Sequence, residues 1–163
     1  MNTCNRLAIA FVALLLFPAD ALAAETAAEA YQKGKSSLEK KDFDGAINAF
    51  TEAIRLDPKD AKAFYSRGVV YGKKGDNDKA IADYTEALRL DPELAGVYHN
   101  RGIHYAKKGK HEKAIADYSE AIRLDPKYAD AYYGRALAYF DKGEQAKADE
   151  DSAQAKNLGY KEK

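Results

Sequence analysis

The chain has 163 residues, within reach of a single domain, and its 26 Lys and Arg balance its 26 Asp and Glu. That balance removes the electrostatic case for nucleic acid or an anionic membrane surface as partner. One cysteine excludes a disulfide framework, and twelve tyrosines without a tryptophan need an explanation in packing or binding.

The first two dozen residues read as separate from the fold. Arg6 gives a short positive lead, Leu7 to Phe17 is an unbroken apolar run, and Pro18-Ala19 leads into Ala21-Leu22-Ala23. This order is that of a secretory signal peptide, so residues 1–23 are expected to be removed after Ala23 and residues 24–163 to act in the periplasm or outside the cell. The rival reading is a retained anchor, but the run falls short of the roughly 20 residues needed to span a bilayer. Cys4 leaves with the peptide, so packing must hold the remainder together.

Residues 61–94, AKAFYSRGVVYGKKGDNDKAIADYTEALRLDPEL, return at 95–128 as AGVYHNRGIHYAKKGKHEKAIADYSEAIRLDPKY. A looser copy occupies 27–60 and a decayed one 129–162, and Pro58, Pro92 and Pro126 keep the same period. Self-similarity at this length marks a stacked array. Within a unit the apolar spacing is helical: Phe64, Arg67, Gly68 and Tyr71 share one face, as do Ala80, Tyr84, Ala87 and Leu88. Gly75 suits a left-handed turn between the two helices and Asp76 a cap for the second. Leu90-Asp91-Pro92 stops the second helix, with Asp91 and Pro92 expected as cap and first residue of the next. Each unit is thus a helical hairpin.

These residues resemble the tetratricopeptide repeat. The match runs through Phe64 or Tyr98, Gly68 or Gly102, Tyr71 or Tyr105, Ala80 or Ala114, Tyr84 or Tyr118, Ala87 or Ala121, and Pro92 or Pro126. The first unit keeps Gly34, Ala46, Phe50, Ala53 and Pro58; the fourth keeps Tyr132, Tyr139, Ala148 and Ala155, with Tyr160 in the proline's place. The fold implied is an all-α solenoid of about four hairpins. Departures gather in the outer units: Ala30 and Ser37 replace bulky residues in the first, and Asp149, Ser152 and Lys156 replace Ile, Tyr and Ile or Leu in the fourth. Such substitutions are expected of the wettable ends of an array.

Arg67, Arg101 and Arg135 stand where the family usually has leucine, each with an aspartate sixteen residues on at Asp83, Asp117 and Asp151. In the first unit both change, to Lys33 and Ala49, which fits an ion pair within a hairpin better than one between neighbours. An anion-binding arginine row is the alternative. On sequence alone Arg101→Leu is expected to be milder than Asp117→Ala, since leucine restores the family residue.

No catalytic constellation emerges, and no cofactor is implied. His99, His104 and His111 lack the three- or four-residue helical spacing of metal ligands and have no carboxylate at ligand distance in sequence. No serine or cysteine has a recognisable base, and the glycines form no phosphate loop. In the resembled family the first helices line a concave groove that holds a peptide or helix. By register this puts Tyr31, Tyr65, His99 and Tyr133 on one ladder and Lys35, Val69, Ile103 and Leu137 on a second. Gln32, Asn100, Lys62, Lys73 and Lys107 lie nearby as donors. The plainer reading is that these rings only cover helix surface. The lysine-and-asparagine clamp that some members use for a chaperone carboxylate is absent. The function expected is a non-enzymatic scaffold or adaptor that binds a protein or peptide outside the cytoplasm. The alternatives are a homo-oligomerising envelope component and a non-catalytic subunit of an enzyme complex.

Overall fold

The computed structural model describes residues 25–161, so the reading of residues 1–23 and Cys4 lies outside the described residues. Eight helices follow one another: α1 (Ala27–Glu39), α2 (Phe43–Leu56), α3 (Ala61–Lys73), α4 (Asn77–Leu90), α5 (Ala95–Lys107), α6 (His111–Leu124), α7 (Ala129–Asp141) and α8 (Gln145–Asn157). They pack as four hairpins, α1 on α2, α3 on α4, α5 on α6 and α7 on α8. Each second helix also packs on the next first helix, and α3, α5 and α7 meet in succession.

Local chemistry sets the ends. Thr26 and Glu29 form a capping box at α1, the Glu29 carboxylate accepting from the Thr26 amide at 2.8 Å and the Thr26 hydroxyl accepting from the Glu29 amide at 3.2 Å. The Thr26 amide, and the Thr26 hydroxyl donating to the same carboxylate at 2.9 Å, lower the Glu29 pKa. Asp42 and Asp76 cap α2 and α4 as N-cap residues. The turns within hairpins need a left-handed residue, supplied by Gly75, Gly109 and Gly143; in the first hairpin Lys41 takes that conformation at φ 60°. The Asp-Pro expectation is corrected. Asp57, Asp91 and Asp125 do end their helices, but the next ones start three residues after each proline, behind Asp60, Leu94 and Tyr128. The Asp91 carboxylate accepts from the Glu93 amide at 3.0 Å, so Asp-Pro opens a turn instead of a helix.

Within a hairpin, a glycine of the first helix receives an aromatic ring of the second. A Cβ at Gly34, Gly68 or Gly102 would lie 2.6, 2.8 or 2.9 Å from the ring of Phe50, Tyr84 or Tyr118. Those three rings are buried, with Ala46, Ala80 and Ala114 beside them. Ala30 is itself buried against Ala53 and Ala63, so its small side chain marks close packing and not a wettable face. Asp149 and Lys156 are exposed, as expected of a polar outer face.

The arginine–aspartate pairs form within hairpins and are bidentate. Arg101 Nε and Nη2 donate to the two Asp117 oxygens at 2.8 Å each, and Arg67–Asp83 and Arg135–Asp151 repeat the geometry at 2.7–2.9 Å. The remaining Nη1 reaches back one unit: Arg67 to Thr51 at 3.0 Å, Arg101 to Thr85 at 3.1 Å, Arg135 to Ser119 at 2.9 Å. Thr85 and Ser119 donate their own protons to the Ile81 and Ile115 carbonyls, which leaves hydroxyl lone pairs for the arginines. The guanidinium also lies 5.6–6.0 Å from two rings of its helix, Tyr98 and Tyr105 for Arg101. With its fork and third nitrogen engaged, this row is a structural seam and not an anion site. A second seam joins Lys74 to Asp44, Lys108 to Asp78 and Lys142 to Glu112. The fourth unit has Ala146 and Ala153 at the acid and hydroxyl positions.

Burial reverses the expected order of the two substitutions. The Asp117 side chain is 7% exposed, whereas the Arg101 side chain keeps 17% exposure, a hydroxyl partner and two ring faces. Removing the arginine therefore strands the deeper charge. Arg101→Leu is expected to cost about 3–5 kcal/mol and Asp117→Ala less, with the double variant milder than Arg101→Leu alone. Thermal melts in a double-mutant cycle measure this; equal small losses in both single variants would mean that the pair contributes little.

Candidate functional site

The first ladder is tied into the fold. The Tyr31 ring lies 5.4 Å from Phe50 and Tyr65 lies 6.0 Å from Tyr84. Tyr31 and Ser66 share a hydroxyl hydrogen bond of 3.1 Å, and the Asn100 amide donates to the Tyr65 hydroxyl at 3.0 Å. Asn100 thus joins two hairpins, and its amide is engaged before any ligand arrives. His99 sits between Tyr118 at 5.8 Å and Tyr128 at 4.9 Å. In the fourth hairpin Ser152 stands where the others have a ring, and Tyr160 takes its role by stacking on Tyr133 at 4.1 Å. The rings pack as the plainer reading expects, and all four stay half-buried.

The second ladder is more open. Lys35 is exposed, Val69 and Ile103 are half-buried, and Leu137 is 48% exposed. Two hollows lie along it. One, of about 430 Å³ between α3 and α5, is lined by Val69, Gly72, Lys73, Asn100, Ile103 and Lys107 among others. The other, of about 450 Å³ between α5 and α7, brings together His99, Ile103, Lys107, Tyr133 and Leu137 with Asp130, Asp141 and Tyr160. Small residues make the second hollow possible. Ala106 and Ala138 line it, and a Cβ at Gly134 would meet the Tyr118 ring at 2.7 Å. Of the site residues expected from sequence, His99, Ile103, Tyr133 and Leu137 share the second hollow, Val69 and Asn100 line the first, and Tyr31, Lys35 and Tyr65 line neither. Asp130, Asp141 and Tyr160 escaped sequence reasoning. Tyr160 carried a legible signal, an aromatic in the proline's place.

The histidines have separate surroundings. His104 is buried between the second and third hairpins, its Nδ1 2.7 Å from the Asn77 amide oxygen and its ring 5.8 Å from Tyr84. Its far edge faces Gly72, where a Cβ would lie 2.5 Å from Nε2. His111 approaches Asp141 at 3.6 Å. Among the described residues no group of three His, Cys, Asp or Glu could hold a metal ion, and no helix is long and apolar enough to cross a membrane.

This stack of hairpins matches known proteins. A tetratricopeptide repeat model matches residues 31–95 and a TPR repeat model residues 104–143. The chain belongs to the tetratricopeptide repeat family. Among solved structures, it is similar to MamA, with 26% identity and a TM-score of 0.79 over 81% of this chain and 77% of that one. It also resembles YrrB, described as a TPR protein with an unusual peptide-binding site, at 24% identity and TM-score 0.75 over 82% of this chain and 69% of YrrB. A third likeness is the first TPR of Spaghetti (RPAP3) bound to the HSP90 peptide SRMEEVD, at 23% identity and TM-score 0.64 over 78% and 94% of the two chains. The last two likenesses bear on fold alone. No curated protein matches the chain.

Burial lowers the pKa of His104, helped by the nearby Lys107 charge, and burial also lowers that of His99 against the opposing pull of Asp130 and Asn100. The unfolded chain then binds more protons across this window. The stability from neutral histidines is complete above their ordinary pKa of about 6.5 and is lost as the pH falls toward the folded values. The melting temperature is expected to drop between about pH 7.5 and 5.5, where histidine is the side chain that ordinarily titrates. Asn77→Phe with His104→Val copies the apolar pair Phe43 and Val70 of the preceding junction and should shrink that drop. An undiminished drop would place the titration elsewhere.

Proposed function

We propose that this protein is a non-catalytic scaffold that holds a partner's peptide segment along the inner face of its first helices. The observation that carries this reading is the hollow between α5 and α7, floored by Ile103 and Tyr133 and edged by Leu137 at 48% exposure. An apolar floor with a few polar groups at its rim is the usual make-up of a ligand-binding cleft. Membership of the tetratricopeptide repeat family supports the same use.

Leu137 is the better probe of this site. Tyr65→Ala would break the bond from Asn100 and the packing on Tyr84, so it tests the fold along with the surface. Leu137→Asp changes an exposed side chain and should leave melting nearly unchanged. A photocrosslinker placed at Leu137 should capture the native partner, whereas one at the exposed Asn48 of α2 should not. Leu137→Asp should weaken binding of that captured partner by about 2 kcal/mol or more if Leu137 is an anchor. Full-strength binding in the variant would overturn the groove reading.

The proposal includes a location outside the cytoplasm, supported by the lead, apolar run and Ala-Leu-Ala spacing of residues 1–23. Intact-mass measurement of protein from the extracytoplasmic fraction should find a chain starting near Ala24. A species still beginning at Met1 would rule out removal of the segment.

A further inference from the structure

The proposed groove carries charge of opposite sign at its two ends, and two positions reverse together. Near the start of the first helices, Lys62 of α3 is followed by Gly96 of α5 and Asp130 of α7; near the end, Lys73 and Lys107 are followed by Asp141. The hollow between α3 and α5 is lined by Lys73 and Lys107 and by no carboxylate. The hollow between α5 and α7 adds Asp130 and Asp141. In α1 the corresponding positions are Ala28 and Glu39, with Lys35 between them, and so add no net charge.

Helix stability accounts for only half of this pattern. Lys73 and Lys107 suit helix C-termini and Asp130 suits an N-terminus, but Lys62 lies at the N-terminal end of α3 and Asp141 at the C-terminal end of α7, both against the helix dipole. Nor do ion pairs within the fold account for the lysines. Among the described residues Lys62, Lys73 and Lys107 enter none, in contrast to Lys74, Lys108 and Lys142 at the next position along, which join hairpins. Asp141 has His111 at 3.6 Å but keeps half its side-chain exposure.

We infer that the groove selects an extended peptide with three features: an apolar side chain seated beside Leu137, an acidic side chain over Lys73 and Lys107, and a basic one over Asp141, one helical turn beyond Leu137. This rests on the groove being the binding surface. Packed helices lie about 8–10 Å apart and an extended chain advances roughly 3.3 Å per residue. The acidic and apolar side chains therefore sit about three residues apart. Charges at an exposed rim act mainly on selection and association rate, so the preference weakens with salt.

The test uses fluorescein-labelled peptides in a Gly-Ser background with a central Phe. Asp and Lys stand three residues to either side in both orders, and Asp/Asp, Lys/Lys and uncharged versions serve for comparison. Binding is read by anisotropy. A mixed peptide should bind roughly tenfold more tightly than either uniformly charged one at low ionic strength, and the gap should narrow at high salt. Asp130→Lys with Asp141→Lys should shift the preference to Asp/Asp, and Leu137→Asp should weaken the uncharged and Asp/Asp peptides. If the uniform or uncharged peptides bind as well as the mixed ones, yet remain sensitive to Leu137→Asp, the charge inference falls and the groove stands. If no peptide binds, or binding ignores Leu137→Asp, both fall.

Discussion

The structure depends on how closely two helices of a hairpin approach at a glycine. Where Gly34, Gly68 and Gly102 meet Phe50, Tyr84 and Tyr118 there is no room for a methyl group. The ring of the second helix is driven against the backbone of the first, and Tyr84 and Tyr118 there back the two inner hollows. Tyr31, Tyr65 and His99 then lean on these same rings. Interhelical distance, core and groove floor are thus consequences of one contact repeated along the chain.

Stacking hairpins is a separate task handled by polar groups. Hydroxyls on α2, α4 and α6 accept from arginines of the next unit, which are held rigid by their own aspartates. Partly buried ion pairs seldom add much net stability, but they penalise misregistration heavily because a shifted helix strands charge. The junctions also bury apolar side chains, Val70 with Phe43 at the first and Leu88 with Val97 at the second, and the arginine–hydroxyl bonds add direction to those contacts. The two junctions differ at one position: Phe43 and Val70 meet in the first, whereas Asn77 and His104 put a polar, protonation-sensitive contact in the second.

Much of this was legible in the residues. The 34-residue period carried the fold, and the joint change to Lys33 and Ala49 identified the ion pairs as internal. What escaped were features set by distance in space and depth of burial. Nothing local says that Asn100 donates to Tyr65, 35 residues away, or that Asp117 lies deeper than Arg101. The Asp-Pro steps read as helix starts because proline suits a first turn, yet the aspartate's own hydrogen bond closes a turn there first. The two ladders and the departures at Ser152 and Tyr160 were legible, but not that the Tyr160 ring stacks on Tyr133 in place of the missing one.

The fourth hairpin is built more lightly than the others. Helix α8 buries only Ala148, Asp151 and Ala155, with no large apolar side chain among them, whereas α4 and α6 each bury a tyrosine. Local opening follows the density of buried apolar contacts, so this unit frays at a lower free energy than its neighbours. The hollow beside Leu137 spans the junction between this loosest unit and the better-packed third one. A ligand seated there binds the closed arrangement alone and, by mass action, draws the fraying unit back onto the stack. On the proposed reading, recognition at this end of the groove would be coupled to order: part of the intrinsic affinity would go into closing α7 and α8, and occupancy would register as slower unravelling of the fourth hairpin.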